Sequence, residues 1–531
     1  MQAEVLLRGA TAYTQDRRQP RARSLAIGGG RILAVGQLDH ELDELQGPAT
    51  RVIELAGAAV VPGFVDAHVH FAHFALARQQ VDLDAAATLE DGLRRIAGEA
   101  DRLAPGVWLQ GRGWDRNRWG RLPTRAELDA VVGARPVALS SHDGHALWLN
   151  SAALAAAGIH RATSDPPGGV IQRDPTGEPS GVLFENAQDL VRAHVPEPSE
   201  RELYEAIRAA LPTAAAAGLT GIHNLEDART RRVFQALEAA GDLTLRVYHG
   251  VPRGELAEAR ERGLHTDTGT DWLRVGPVKL FADGALGSRT AWLLAAYEGR
   301  AADDYRGVPT LSAEEIEEDL HAAADAGLDI AVHAIGDAAV RRVLDVFEQT
   351  REVYPPLRQR LVRIEHAQLV HPDDVARFGK LGVIASMQPI HATADRGAAD
   401  EHWGDRSRHA YAWRDLLSAG ATLAFGTDAP VEHIEPLLSL YAATTRRQPD
   451  GSPREGWHAH QCIGLEEAMR AYTRGSAMAE RAAGRRGSLA AGMDADLVAL
   501  GPDPIGLVSE ALLETRVLLT MVGGRITYEG E

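Results

Sequence analysis

VVPGFVDAHVH, residues 60–70, joins a strand-like apolar run to two histidines spaced by one residue. An apolar run of β character ends in Asp66-Ala67-His68-Val69-His70. On a strand, side chains at i, i+2 and i+4 share a face. Asp66, His68 and His70 are therefore expected on one side, with Ala67 and Val69 on the other. Two neutral imidazoles side by side at a strand end make half of a metal site. In a chain with 21 His, His-x-His alone is weak evidence, so the rest of the chain has to supply the other half.

Seven more β-like segments follow: LTGIHNL (219–225), LTLRVYHGV (243–251), VGPVKLFAD (275–283), LDIAVHAIG (328–336), LVRIEHAQ (361–368), GVIASMQP (382–389) and ATLAFGTDAP (421–430). Between most of them lie Ala-, Glu- and Arg-rich stretches with helical periodicity, such as AEEIEEDLHAAADAG. Eight strands alternating with helices predict an α/β fold, a distorted (β/α)8 TIM barrel over residues 61–486. The interval of about 71–215 is too long for one crossover and reads as a subdomain inserted after barrel strand 1, expected over the mouth formed by the βα-loops. Residues 1–60 and 487–531 read instead as short strands with Gly-rich turns, among them GGG at 28–30. The two ends are expected to meet in one small β-sandwich domain.

Composition bounds the function. The 531 residues suffice for a large barrel and a second unit, and 45% apolar with 24% charged residues is ordinary for a globular chain. The net charge of −18, spread along the chain, argues against nucleic-acid binding. A single cysteine, Cys462, excludes an internal disulfide and makes a cysteine-based metal site a poor fit. Neither a secretion signal nor a long apolar span is legible, so the expectation is a cytoplasmic protein with a small-molecule substrate and no membrane partner. A homodimer is the base-rate expectation.

Polar residues recur near the C-terminal ends of the expected strands: His68 and His70 on the first, Lys279 on the fourth, His333 on the fifth, His366 on the sixth and Asp428 on the eighth. Active sites of such barrels are built at that end from several strands. Each residue has a bland alternative. His333 and His366 could be core histidines, and Asp428 a helix cap before Pro430. Lys279 is the hardest to dismiss. Only it and Lys380 are lysine among the 56 basic residues, and a charged lysine on a buried strand is costly without a partner.

The motifs GWDRNRWG (113–120), SHDGHALWLNSAAL (141–154), KLFADGALGSRTAWL (279–293), VHAIGDAAV (332–340), RIEHAQLV (363–370), FGTDAP (425–430) and GSLAAGMDADLVAL (487–500) resemble the amidohydrolase superfamily. The similarity is to the branch that includes N-substituted formamide deformylase, and it runs over nearly the whole chain. The resemblance implies a hydrolase with one or two divalent metal ions, with zinc expected and manganese or iron as alternatives. His68, His70 and Asp428 would hold the first ion, and His333 and His366 the second. Lys279, as N6-carboxylysine, would bridge them. Asp428 would act as general base and acid on a carbon–nitrogen bond, an amide or an N-acyl or N-formyl amine.

Weaker candidates for substrate contact are His145, which resembles a substrate-contacting histidine of that branch, His223, Arg289 and Trp114. The alternatives are a loop role for His145 and Arg289 and packing for Trp114. Asp66 reads as a partner that orients a histidine; His73, Asp143 and His391 carry no assignment. Competing readings are a deaminase or a cyclic-amide or ester hydrolase of the same superfamily, and a scaffold without activity. Lys279 argues against the deaminase and the filled ligand positions against the scaffold.

Overall fold

In the computed structural model, the run at 60–70 is two strands in two different sheets, parted at Gly63. The structure describes residues 2–103, 107–141, 146–166, 168–300, 302 and 304–530. By its internal contacts the chain divides into two units, one of residues Met1–His73 with Ile207–Glu531 and one of Phe74–Ala206.

The larger unit holds eight parallel barrel strands, labelled β1 (Phe64–Val69), β2 (Leu219–Asn224), β3 (Arg246–Pro252), β4 (Leu273–Phe281), β5 (Ile330–Ala334), β6 (Val362–His366), β7 (Ile384–Met387) and β8 (Thr422–Phe425). They pair in chain order from β1 to β8. The seam between the outer two is closed by backbone bonds from Asp428 N to His68 O (2.7 Å) and from His70 N to Ala429 O (3.0 Å). All eight expected segments are present, within a few residues of their expected ends. Their apolar runs are buried because crossover helices cover the outer face of a parallel barrel. The helix Ala313–Asp325 is one such crossover. Ser312 opens it with a capping box, its hydroxyl accepting from Glu315 N while Glu315 accepts from Ser312 N. Ile316, Leu320 and Ala323 then bury one helical face.

The chain's two ends form the β-sandwich. A four-stranded sheet runs Arg31–Gly36, Ser24–Gly28, Ala3–Arg8, Gln46–Glu54. A six-stranded sheet runs Arg525–Glu529, Arg516–Val522, Leu497–Gly501, Ala59–Pro62, Thr11–Tyr13, Arg21–Ala22. Leu7, Leu25 and Ile27 of the first sheet pack against Val60, Leu497, Leu519 and Met521 of the second. Arg246 of β3 anchors this layer to the barrel, its Nε 2.7 Å from Asp496 Oδ2 and its Nη2 3.0 Å from Oδ1.

The smaller unit has its own mixed sheet: Gly169–Arg173, Pro179–Glu185, Ala146–Leu149, Val137–Ser141, Leu109–Trp114 and Val81–Asp82. Its core includes Trp114 and Trp148, with Trp119 packed against them. No helix among the described residues is long and apolar enough to cross a membrane.

Candidate active site

β1 does not end as a simple alternating strand. Its pairing to β2 slips between Ile222↔Asp66 and Asn224↔Val69, so one extra residue of β1 is accommodated beside His68. Of the three side chains that strict alternation would align, Asp66 parts from the two histidines. The Asp66 carboxylate turns to the seam, where Oδ1 accepts the backbone N–H of His68 (3.0 Å) and of Thr427 (3.0 Å). Burial lifts its pKa to about 7. Gly426 allows this approach: a Cβ there would lie 2.5 Å from His68 N and 2.6 Å from Asp66 Oδ1.

His68 and His70 converge on Asp428. Their Nε2 atoms lie 3.5 and 3.4 Å from its Oδ1, and the three donor atoms are all within 4.8 Å of one another. Asp428 sits at φ +61°, a left-handed conformation that Asp tolerates better than most residues and that often marks a functional site. Burial would raise its pKa, but His68, then His391 and His70, outweigh burial and hold it well below the usual carboxylate range. It is therefore an anion.

His366 and His333 complete the cluster, with ring centroids 4.7 Å from His68 to His366 and 4.6 Å from His366 to His333. His366 also has positive φ, +71°, followed by Ala367 at +43°, so the chain turns sharply as it leaves β6. Burial keeps His68, His333 and His366 neutral, lowering His333 to about 3. Each has one ring nitrogen held by an oxygen: His68 Nδ1 by Glu365 (2.6 Å), His366 Nδ1 by Gln388 (2.9 Å) and His333 Nε2 by the Gly284 carbonyl (3.0 Å). Neutral imidazoles with one N–H so engaged keep a lone pair on the other nitrogen, the state a metal ligand needs. Two imidazoles and a carboxylate at this spacing fit a divalent cation.

Lys279 is 4% exposed, its ammonium 4.3 Å from the Phe281 ring centroid. Burial lowers its pKa to about 8, against the raising effect of Glu365 and Asp428.

The structure adds His391, which the sequence left unassigned. Its Nε2 lies 3.2 Å from Asp428 Oδ2 and its Nδ1 3.0 Å from Glu432 Oε1. Burial alone would lower its pKa; the two carboxylates reverse that and hold it near 10. With His366 and Asp428 it forms a second close set of donors. A third set, His70, His73 and Glu226, is equally close, but Glu226 already accepts the backbone N–H groups of Ala72 and His73 at 2.9 Å each. Glu365 and Gln388 were also missed. Only the alternation of Arg363 and Glu365 along a buried strand could have flagged the first.

Three of the weaker assignments need correction or leave the site. Trp114 is not a substrate contact: it is 1% exposed in the core of the smaller unit, its Nε1 bonded to Leu139 O (2.8 Å) and its ring near Trp119 and Trp148. His223 is fully buried and bonded to Arg363 Nη1 at 2.7 Å, so it supports the barrel interior instead of facing substrate. Arg289 is occupied by Glu401 (2.9 Å) and His402 (3.3 Å), a loop tether. His145 and Asp143 lie outside the described residues.

Residues 51–528 match the model of the amidohydrolase family. The chain is 34% identical to the putative amidohydrolase YtcJ of Bacillus subtilis strain 168 over 98% of each chain. It is 30% identical to N-substituted formamide deformylase of Arthrobacter pascens over 99% of this chain and 98% of that one. Among solved structures it is similar to an uncharacterized metal-dependent hydrolase from Pyrococcus furiosus, with TM-score 0.78, 28% identity and coverage of 93% of this chain and 98% of that one. On the matched family, the barrel and its histidine and aspartate cluster, the chain belongs to the amidohydrolase family and is a hydrolase of the class acting on carbon–nitrogen bonds other than peptide bonds.

Proposed function

We propose that this site cleaves the carbon–nitrogen bond of a small amide, an N-formyl or N-acyl amine. The observation that carries the reading is the approach of one ionised carboxylate, Asp428, to the Nε2 atoms of His68 and His70 at 3.5 and 3.4 Å. His68, His70 and Asp428 would hold one divalent ion, and His333 and His366 a second where two are bound; zinc is the expected ion, with manganese or iron as alternatives. Such an ion supplies Lewis acidity to the attacking water and to the substrate carbonyl. Asp428 takes the water's proton and returns it to the departing amine nitrogen, so one group serves as base and then acid. His391, bonded to Oδ2, keeps the carboxylate oriented with Oδ1 toward the two histidines.

Lys279 is the residue for a further ligand. Its desolvated amine adds to the carbon of CO2, forming an N–C bond and releasing one proton, and a costly buried cation becomes an anionic oxygen donor. An arginine could not make this conversion.

The test is hydrolysis of a panel of N-formyl, N-acetyl and N-acyl-amino-acid compounds by enzyme supplied with Zn²⁺ or Mn²⁺. Release of free amine from members of the panel is the expected result. A metal-replete enzyme that cleaves none of them while turning over esters or lactones would refute the assignment.

A further inference from the structure

Below the histidine cluster, the barrel interior contains a buried ion pair that the hydrolytic chemistry does not use. Arg363 and Glu365 stand two residues apart on β6, so they share the face that points inward. They are 2% and 0% exposed. The Arg363 guanidinium is fully engaged across three strands. Its Nε and Nη2 both donate to Glu365, the second at 3.1 Å. Nη2 also donates to the Ala67 carbonyl on β1, and Nη1 lies 2.7 Å from His223 Nδ1 on β2. The other oxygen-borne contact of Glu365 is His68 Nδ1, at 2.6 Å. A chain of buried contacts therefore runs from His223 through Arg363 and Glu365 to His68.

The order of charges gives this chain a direction. Both oxygens of Glu365 accept N–H groups of the Arg363 guanidinium, a donor-only partner that pairs with the carboxylate in its ionised form. An ionised carboxylate only accepts hydrogen bonds. At 2.6 Å it therefore requires an N–H on His68 Nδ1, and the nitrogen left to act as a ligand is Nε2, the one that faces Asp428. We infer that Arg363 and Glu365 are positioning residues, a clamp that fixes the tautomer and ring orientation of His68 and so sets the affinity of the site for its cation. The inference rests on the reading of His68 as a metal ligand. It does not depend on which bond is cleaved.

Glu365→Gln is the discriminating variant. The side chain keeps its shape, but its amide can either donate to or accept from Nδ1, so both tautomers of His68 become available. Metal affinity is measured by competition with a chelator, without substrate, alongside the absorption spectrum of Co²⁺-loaded protein and the thermal midpoint of the metal-free protein. The expected result is affinity lowered by about 10–100-fold and an altered cobalt spectrum in a metal-free protein that is still folded at the measuring temperature, with a lower midpoint because Arg363 loses its counter-charge. Arg363→Lys, which keeps a cation beside Glu365, is the second arm and should weaken binding less. Wild-type affinity and an unchanged spectrum in folded Glu365→Gln overturn the clamp. So does a loss of affinity that only follows a loss of fold in both variants. A wild-type protein that binds metal but cleaves no amide would refute the proposed reaction and leave the clamp intact.

Discussion

Asp66 and Thr427 are joined across the barrel seam: Asp66 Oδ2 accepts the Thr427 hydroxyl at 2.5 Å and Oδ1 accepts its backbone N–H at 3.0 Å. The residue after Thr427 is Asp428, and the residue two after Asp66 is His68. This single carboxylate thus fixes the spacing between His68 and Asp428, the residues proposed as metal ligand and base. Asp66→Ala would leave three buried donors without an acceptor, at about 1–3 kcal/mol for each left unmet. The expected outcome is a thermal midpoint lower by several degrees, read by calorimetry, with hydrolysis falling in the same protein.

Lys279→Ala removes the residue proposed to carry the added carboxylate. Metal content measured by mass spectrometry should fall together with activity, and acetate or propionate should restore part of both. Unchanged metal content and turnover would eliminate the ligand role of Lys279.

Asp428→Asn keeps the side-chain volume and removes the proton acceptor. Turnover should drop about a thousandfold or more, the upper range for a general base that also holds the ion. A variant that loses metal but regains full rate at high Zn²⁺ would show that binding, and not proton transfer, is the residue's whole contribution.

His249 is one of the buried histidines that contribute to stability in mild acid. It is buried, with Nδ1 3.2 Å from the Asn224 amide nitrogen and Nε2 3.0 Å from the Asp227 carbonyl, and burial lowers its pKa from 6.5 to about 4. Below pH 6.5 the unfolded chain takes up a proton that the folded chain refuses, so stability is full above 6.5 and declines as pH falls toward 4. The linkage amounts to about 3 kcal/mol across that window. Denaturant melts of wild type and His249→Gln at several pH values should converge as pH falls; parallel curves would show that His249 does not titrate this way.

The barrel was legible because its eight strands are apolar runs that end in polar residues, as in VGPVKLFAD and RIEHAQ. A parallel sheet covered on both faces leaves little room for any other reading of such runs. His68, His70 and Asp428 bring donor atoms together, and the His366 ring lies 4.7 Å from that of His68 and 4.6 Å from that of His333. The rest depended on turns that a linear pattern does not record. The slipped register at Asp66–Val69 breaks the alternation from which three aligned side chains were expected. His391 lies in the first turn of the short helix Pro389–Ala394 after β7, where nothing in PIHATA distinguishes a residue that reaches Asp428 from one that faces solvent. For Trp114 the sequence leaves substrate contact and packing both open, because a buried indole and a ligand-facing one have the same composition. Its bond to Leu139 O decides between them.

In the proposed reaction, amide hydrolysis requires a cation held by His68, His70 and Asp428. The most direct measurement is N-formyl or N-acyl amine hydrolysis by protein stripped with a chelator and then titrated with Zn²⁺ or Mn²⁺, with bound metal counted at each point. The expected result is no hydrolysis in the stripped protein and recovery that saturates at one or two ions per chain. Full hydrolysis by protein shown to hold no metal would contradict it.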